Sequence, residues 1–369
     1  MIPVNEPLLV GNEKKYLVEC IETGWVSSDG PFVKRLESDF SKKVSRNYGV
    51  AVCNGSAALE VALASLEIGR GDEVIVPTFT IISCVSAIIR SGATPVLIDC
   101  DPNTWNMDVS NINKYITSRT KAIMIVHIYG LPTDIDPVLK VAKDSNLFVI
   151  EDAAQMLGQS YKGRPCGSFG DISTFSFYAN KHITTGEGGI LVTDNQELAE
   201  RCRSLRNLCF NSKNRYVHQE MGWNFRISNL QAAVGVAQLE CLDEFMVKKR
   251  SMGEFYTSRL SSVSGLQLPV QKKNSTRNIY WAYSLVLDDS LSINAAELMR
   301  KMADLGVGTR PFFWPMHKQP VFQKLGLFKD VDCPVAERIS SRGLNIPSGL
   351  ALTKEQMDYV CNSVELCLG

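Results

Sequence analysis

The chain has 369 residues, 45% hydrophobic and 21% charged, which is typical of a globular protein with roughly two domains. Because Lys+Arg and Asp+Glu both total 39, bulk charge gives no electrostatic case for binding nucleic acid or an anionic membrane. We find no secretory signal and no apolar stretch of membrane-spanning length. The 11 cysteines are scattered, without a C-x-x-C pair, so we expect a reduced, cytoplasmic protein lacking a zinc site or disulfide framework.

From about residue 48 to 208, short apolar runs alternate with helical patterns such as Ser56–Leu66 and Val138–Lys143. Seven runs are predicted strands: Tyr48–Cys53, Glu73–Val76, Thr94–Asp99, Ala122–His127, Leu147–Glu151, Ile172–Tyr178 and Gly189–Thr193. This alternation predicts a mostly parallel, mixed sheet covered on both faces, with ligands at the carboxyl ends of the strands. The last two strands are joined by a short turn, so one of them should be antiparallel.

Beyond Asn229 the pattern changes. Residues 229–264 are predicted to form a long helix, followed by a strand over 280–287, a helix over 295–305, a strand near 307–312 and two terminal helices. The polar segment 271–278 between them is predicted to be a loop. We therefore expect an α/β protein with a large domain over 1–245 and a smaller α+β domain over 246–369.

Two segments at strand ends are candidates for binding a charged ligand. In Cys53–Ala58 a strand turns into a helix, where free N–H groups beside the Ser56 hydroxyl would form an anion site. A plain helix cap by Ser56 is the alternative. In Val149–Gln155 a buried strand ends on carboxylates, which need a cationic partner such as the protonated ring nitrogen of a cofactor. A helix cap or a structural salt bridge would also satisfy them.

Lys181 follows the next apolar strand and precedes the glycine-rich turn Thr184–Gly189. Desolvation at that position would lower the pKa of the amine, as a Schiff-base nucleophile requires, although most lysines are surface charges. A fourth segment, Met221–Asn229, is polar and aromatic and precedes the long helix. Its alternative interpretation is a loop in which Asn229 caps that helix.

Together these segments resemble the DegT-type family of nucleotide-sugar aminotransferases, which are pyridoxal-phosphate enzymes of fold type I, the aspartate-aminotransferase-like fold. The resemblance runs essentially end to end through Gly24–Ser28, Asn54–Ala58, Val126–Gly130, Glu151–Gln155, Ser173–Gly189, Asn224–Gln231 and His317–Pro320. Among family members, the run Asn180–Gly189 is most similar to that of GDP-perosamine synthases. This narrows the substrate only weakly.

The resemblance implies that Lys181 forms the Schiff base with the cofactor and moves the proton between the amino-acid and sugar carbons. Asp152 would pair with the pyridine nitrogen. The other implied cofactor contacts are Ser56, Ala57 and Ser176 at the phosphate, Gln155 at the phenolic oxygen of the ring, and Asn224 from a second subunit. The family builds its sites at a dimer interface, so a homodimer with shared active sites is implied.

The function that the resemblance implies is transfer of an amino group from L-glutamate to a keto-deoxy sugar nucleotide. GDP-4-keto-6-deoxymannose, or a related 4-keto-6-deoxyhexose, is the expected acceptor, in the biosynthesis of a cell-surface polysaccharide such as a lipopolysaccharide O-antigen. UDP- or dTDP-linked keto sugars and a keto-octulosonate stay open as acceptors, and so does the carbon that is aminated.

Two other functions are open. One is a sugar dehydratase with the same cofactor; dehydratase relatives replace the Schiff-base lysine with histidine, whereas here Lys181 is retained and His182 merely follows it. The other is a non-catalytic regulator that binds the cofactor. This function is disfavoured because the sequence has no additional DNA-binding segment and no basic stripe.

Candidate substrate-binding residues are Trp223, Arg226, His317 and Arg310, because an amino donor and a sugar diphosphate both need fixed cations or polar groups. For Arg310 a structural role is favoured. His127, in a buried strand, is interpreted as a core histidine. With 4 histidines and no ligand-like spacing, no metal site is predicted.

The chain departs from the family at the cofactor ring. Many members place an aromatic residue over that ring in the segment here written Pro77–Ser83, and Ile81 aligns with that position. An apolar contact would then replace the aromatic stack, unless Phe79 substitutes for it.

Overall fold

The computed structural model describes residues 1–210, 214–273 and 276–369. Seven strands form the large sheet, in the order β1-β9-β8-β5-β4-β2-β3: β1 (Tyr48–Val52), β2 (Glu73–Pro77), β3 (Thr94–Ile98), β4 (Thr120–Val126), β5 (Phe148–Asp152), β8 (Ile172–Ser176) and β9 (Gly189–Thr193). β9 pairs antiparallel with both of its neighbours, and the other neighbours pair in parallel. The predicted seven-stranded mixed sheet and its reversed strand are confirmed.

Both faces of this sheet are buried, which explains why its strands are apolar almost throughout. Side chains alternate between the faces, so that Val74 and Val76 pack in one core and Ile75 in the other. The covering helices are α1 (Glu13–Glu22), α2 (Pro31–Lys43), α3 (Gly55–Ser65), α4 (Ile82–Ser91), α5 (Ile135–Asp144), α6 (Gln196–Leu205) and α7 (Asn229–Glu240). A short hairpin, β6 (Ser160–Tyr161) with β7 (Arg164–Pro165), follows β5.

The smaller unit has an antiparallel sheet in the order β10-β13-β15-β14. Its strands are β10 (Leu266–Gln267), β13 (Tyr283–Leu287), β14 (Arg310–Pro311) and β15 (Gly343–Ile346), and its helices are α8 (Leu242–Leu260), α9 (Ala295–Asp304), α10 (Pro320–Lys324), α11 (Pro334–Arg342) and α12 (Lys354–Leu368). A third core, including Tyr256 and Tyr283, lies beneath this sheet. The domain boundary proposed at 245/246 falls inside α8, and it stays a proposal.

The structure differs from the sequence prediction in the second half of the chain. The helix predicted over 229–264 is two helices, because the turn at Cys241 closes with bonds from its N–H to the carbonyls of Gln238 and Leu239. The strand β15 was not predicted, since it has only 4 residues and directly follows a helix. In the predicted loop 271–278, β11 (Lys272–Lys273) and β12 (Thr276–Arg277) pair antiparallel, while residues 274–275 lie outside the described residues.

Two helix caps also differ from the expected ones. α3 is capped by Asn54, whose side chain accepts from the N–H of Ala57 at 2.8 Å, so Ser56 is not the cap. α7 is capped by Ser228, which forms a capping box with Gln231. Asn229 instead fixes the N-terminal segment, accepting from the N–H of Phe32 at 2.9 Å.

Candidate active site

A cavity of about 700 Å³ lies between the carboxyl ends of the large-sheet strands and one edge of the small sheet. Its volume is in the range of roughly 300–1,000 Å³ that is usual for small-molecule sites. The large-sheet side of its lining includes Asn54, Gly55, Ser56, Ser83, Asp152, Gln155, Ser176 and Lys181, and the small-sheet side includes Trp281, Arg310, Phe313 and Asn345. The structure therefore brings together residues from most of the predicted motifs.

The first helical turn of α3 forms one end of the pocket. Because Asn54 takes over the capping role, the Ser56 hydroxyl is directed to Ser83, with 2.8 Å between their oxygens. Gly55 packs against Ser176 so closely that a Cβ at this glycine would lie 2.9 Å from the Ser176 Cβ. Three hydroxyls thus surround the positive end of a helix, an arrangement that suits a phosphate. Ala57 lies outside the lining, with its N–H already donated to Asn54.

Lys181 lies between this helix end and the small sheet. Its Nζ is 4.2 Å from the centre of the Trp281 ring, and the Trp281 indole donates to the carbonyl of Asn180 at 2.9 Å. The pKa of Lys181 is lowered from 10.5 to about 8, mainly by burial; the charge of Asp152 acts to raise it and that of Arg310 to lower it. The pocket thus holds an amine whose neutral fraction near neutral pH is much larger than that of an ordinary lysine, as a nucleophile requires.

Asp152 ends β5 with its carboxylate buried at the pocket wall. It accepts from the thiol of Cys84 at 3.1 Å and from the N–H of Ala154 at 3.0 Å. Burial and the nearby Asp152 charge raise the pKa of Cys84 well above its ordinary value, so this partner is a neutral thiol and a weak donor. Within the described chain Asp152 forms no salt bridge, and it caps no helix. The carboxylate can therefore take a cationic partner in the pocket.

Glu151, the preceding residue, points to the opposite face of the sheet, where its oxygens accept from His127, Gly167, Phe169 and Ser173 at 2.6–3.1 Å. Burial acts to raise the pKa of Glu151, but these hydrogen bonds outweigh it and lower the pKa below the ordinary value. The ligand atoms of His127, Glu151 and Cys166 lie within 4.8 Å of one another. His127 also accepts from the N–H of Thr133, so His127 and Glu151 are both engaged in structural hydrogen bonds.

Gln155 and Tyr129 line the pocket near Asp152. The amide oxygen of Gln155 accepts from the N–H of Tyr129 at 2.6 Å, which leaves its amide nitrogen for the pocket. Tyr129 has a positive φ of 54° and is followed by Gly130, where a Cβ would lie 2.6 Å from the N atom of Tyr280. This tight turn places the Tyr129 ring beside the pocket. The segment Val126–Gly130 is part of the family resemblance, but no sequence signal predicted a role for Tyr129.

Four further predicted residues, in addition to Ala57, lie outside the pocket lining. His317 is buried between Thr78 and Glu337, at 2.8 and 2.9 Å from its two ring nitrogens. Trp223 stacks on Phe225 with 5.6 Å between ring centres. Arg226 donates to Asn224 and Asn207, and neither Arg226 nor Asn224 lines the cavity.

Ile81 lines the pocket, at the position where the family resemblance implied an aromatic ring. Phe79 does not replace that ring: it is fully buried beneath the pocket, packed on Tyr129, Phe312 and Phe313. The aromatic wall is supplied from elsewhere, by Trp281, Tyr129 and Phe313. Trp281 was not predicted as a pocket residue, because the only indication in the sequence was its position just before strand β13.

All 11 cysteines are free in the structure. None of the helices in residues 1–210, 214–273 and 276–369 is long and apolar enough to cross a membrane.

Comparison with known proteins identifies the architecture. The DegT/DnrJ/EryC1/StrS aminotransferase family matches residues 7–365. A GDP-perosamine synthase of Escherichia coli O157:H7 is 42% identical over 98% of this chain and 97% of its own. One of Vibrio cholerae is 39% identical over 99% of this chain and 98% of its own. The pyridoxal-phosphate form of Spr1654 from Streptococcus pneumoniae superposes with a TM-score of 0.92 at 25% identity, covering 99% of this chain and 98% of the other.

Proposed function

Because the chain belongs to the DegT/DnrJ/EryC1/StrS aminotransferase family and is a pyridoxal-phosphate-dependent sugar aminotransferase of fold type I, we propose a specific reaction for it. In this reaction it transfers the amino group of L-glutamate to the keto carbon of a nucleotide-linked 4-keto-6-deoxyhexose. GDP-4-keto-6-deoxymannose is the proposed acceptor, and the product would serve the synthesis of a cell-surface polysaccharide such as an O-antigen. The observation that carries the proposal is that Lys181, Asp152 and the first turn of α3 line one pocket.

The residues of the pocket fit the cofactor. An amine with a lowered pKa, a buried carboxylate without a charged partner and a helix end ringed by hydroxyls match its aldehyde, its ring nitrogen and its phosphate. Bound pyridoxal phosphate supplies a carbonyl that holds the amino group and a ring that withdraws electrons from the adjacent carbon. Asp152 would keep the ring nitrogen protonated, and Ser56, Ser83 and Ser176 would hold the phosphate.

Lys181 would perform the proton transfers. Its Nζ would accept the proton from the Cα of the amino donor and, in the second half of the cycle, deliver a proton to the sugar carbon that receives the nitrogen. A base works best when its pKa lies near the operating pH, and the pKa of Lys181 is about 8. Trp281, over the Lys181 amine, would limit access of water to that atom.

The choice of acceptor is supported by the relatives. Two proteins named GDP-perosamine synthase match nearly the whole chain at 42% and 39% identity. We propose the same class of acceptor here, a GDP-linked sugar with a keto group at C4.

We propose a homodimer in which Asn224 completes the site of the partner. Asn224 lies outside the pocket of its own protomer, and two exposed apolar side chains, Tyr216 and Met221, lie in the segment before it, at 80% and 92% exposure. Mixing Lys181→Ala with Asn224→Ala subunits tests this arrangement. Shared sites would restore up to about a quarter of the wild-type activity, because half of the sites in mixed dimers contain both native residues. No recovery in verified mixed dimers would refute shared sites.

The function is tested by incubating the holoenzyme and L-glutamate with GDP-, dTDP- and UDP-linked keto sugars and measuring 2-oxoglutarate. We expect the GDP-linked 4-keto sugar to give the highest kcat/KM, and Lys181→Ala to abolish the reaction. A higher kcat/KM for a UDP- or dTDP-linked sugar or a keto-octulosonate would reassign the acceptor. A dehydrated sugar formed without net consumption of glutamate would instead support the dehydratase alternative.

A further inference from the structure

The small-sheet end of the pocket carries donors without matching acceptors. Arg310 on β14 and Asn345 on β15 are direct cross-strand partners, and both line the cavity. The amide oxygen of Asn345 accepts from the Ser284 hydroxyl at 2.6 Å, across the neighbouring pair of strands. This bond fixes the orientation of the amide, so its NH₂ group is the part available to a ligand.

The Tyr129 hydroxyl adds a second polar group to this end. Tyr129 is only 3% exposed, and its hydroxyl has no hydrogen-bond partner among the described residues. Burial raises the pKa of Tyr129, while the Asn345 side chain and the Phe313 backbone N–H, which both face the hydroxyl oxygen, and the charge of Arg310 act to lower it. A buried hydroxyl without a partner lowers the stability of the fold. A ligand that supplies an acceptor offsets this loss.

The Arg310 guanidinium makes no hydrogen bond and no ion pair within residues 1–210, 214–273 and 276–369, and its side chain is exposed to the pocket. Its charge acts on both Lys181 and Tyr129. The three groups therefore form a set of hydrogen-bond donors next to the reactive amine. Such a set recognises an anion, and the planar guanidinium suits a carboxylate.

We propose that Arg310, assisted by Tyr129 and Asn345, binds the α-carboxylate of the amino donor. This inference rests on the aminotransferase function proposed above. In an amino acid the α-carboxylate is bonded to the carbon that loses its proton, so it must lie close to Lys181. In a 4-keto sugar nucleotide the diphosphate is attached across the sugar ring from the reacting carbon. An anion held beside Lys181 is therefore the donor carboxylate, whereas the cofactor phosphate belongs at the opposite end, on α3.

The test compares wild-type and Arg310→Gln holoenzymes. α-Methyl-L-glutamate, which has no Cα proton to lose, measures binding by calorimetry without turnover, and 4-aminobutanoate provides the same amine and distal carboxylate without the α-carboxylate. We expect Arg310→Gln to weaken α-methyl-L-glutamate about 10- to 100-fold and 4-aminobutanoate less than about twofold, with Arg310→Lys in between. Arg338→Gln, which removes an arginine of the same unit that pairs with Asp289, is the matched control and should bind both ligands like the wild type.

Equal losses for the two ligands, or no loss for either, would overturn the proposal. A slower reaction of the aminated cofactor with the keto sugar, at unchanged donor affinity, would also overturn it and would assign Arg310 to the diphosphate. Failure of the proposed function can be distinguished from failure of this carboxylate subsite. The proposed function is tested by turnover of the wild-type enzyme with glutamate and a keto sugar. The donor-affinity measurement uses α-methyl-L-glutamate, which cannot lose a Cα proton, so it does not depend on that turnover.

Discussion

The two walls of the pocket are built in different ways. The large-sheet wall, with Ser56, Asp152 and Lys181, consists of residues that follow strand ends or open a helix. The small-sheet wall is formed by Arg310 and Asn345, on strands of 2 and 4 residues in a separate sheet. One wall is fixed by the backbone of a buried sheet, while the other depends on single side chains from distant parts of the chain. We infer that the first wall is suited to holding a cofactor and the second to selecting substrates.

The largest effect is expected on the large-sheet wall. Lys181→Ala should reduce turnover by about 10⁴-fold, since it removes the group that transfers the protons. Stopped-flow absorbance of the cofactor after adding L-glutamate measures the first half-reaction directly. Lys162→Ala, which changes an exposed lysine paired with Asp136, is the control and should react at the wild-type rate. Activity of Lys181→Ala within tenfold of the wild type would contradict the assignment.

The two neighbouring carboxylates on β5, Asp152 and Glu151, are expected to affect different properties, kcat and the free energy of unfolding respectively. Asp152→Asn should lower kcat by about 10²–10³-fold at nearly unchanged stability, because the charge that would face the cofactor is lost. Glu151→Gln should instead lower the free energy of unfolding by about 1–3 kcal/mol, because donors buried around Glu151 lose a charged acceptor, while the folded fraction keeps near-normal kcat. Urea unfolding and kcat per folded enzyme check both variants, and a reversed pattern would refute the assignment of the two faces.

A smaller effect is expected on the small-sheet wall. Tyr129→Phe removes one donor from the proposed carboxylate subsite and should raise the KM for L-glutamate about 3- to 10-fold. It also removes a buried hydroxyl that has no partner among the described residues, so stability should rise or stay level. Steady-state kinetics and thermal unfolding on the same samples provide the check. An unchanged KM with a higher melting temperature would mean that the hydroxyl does not contact the donor.

No effect on turnover is expected from Lys249, which lies behind the pocket, donates to the carbonyls of Trp281 and Ser348, and should change only the pH dependence of stability. Burial lowers the pKa of Lys249 from 10.5 to about 7. Between these values the unfolded chain binds more protons than the folded one, so the free energy of unfolding should rise with pH from about 7 to 10.5. The slope should be at most about 1.4 kcal/mol per pH unit.

Lys249→Met should flatten this rise, whereas Lys248→Met, which changes the adjacent exposed lysine, should leave it intact. Urea unfolding at several pH values measures the slopes. Equal slopes for the two variants would show that Lys249 does not titrate in this range.

The sequence was sufficient to predict the large-sheet wall because its motifs are local. Apolar runs fixed the seven strands, and the carboxyl ends of parallel strands meet at one edge, so Asp152 and Lys181 could be placed together before the structure was known. The cap of α3 could not be assigned as easily, since Asn54 and Ser56 are both good capping residues. The structure resolves this choice in favour of Asn54.

The small-sheet wall could not be predicted in the same way. β14 and β15 have 2 and 4 residues, too short for periodicity to identify, and Arg310 and Lys181 line the same pocket although they are far apart in the chain. Trp281 and Tyr129 are apolar or amphipathic side chains whose position depends on the docking of the two sheets. His317, by contrast, was selected from a motif, yet it lies between Thr78 and Glu337.

The most direct test of the proposed reaction follows the nitrogen atom. The holoenzyme would be incubated with L-[α-¹⁵N]glutamate and GDP-4-keto-6-deoxymannose, and the sugar nucleotide analysed by mass spectrometry and NMR. We predict that ¹⁵N appears on C4 of the sugar in equimolar amount with 2-oxoglutarate, and that Lys181→Ala gives none. An unlabelled sugar nucleotide that has lost water, or no reaction with any keto sugar, would contradict aminotransfer to this substrate class.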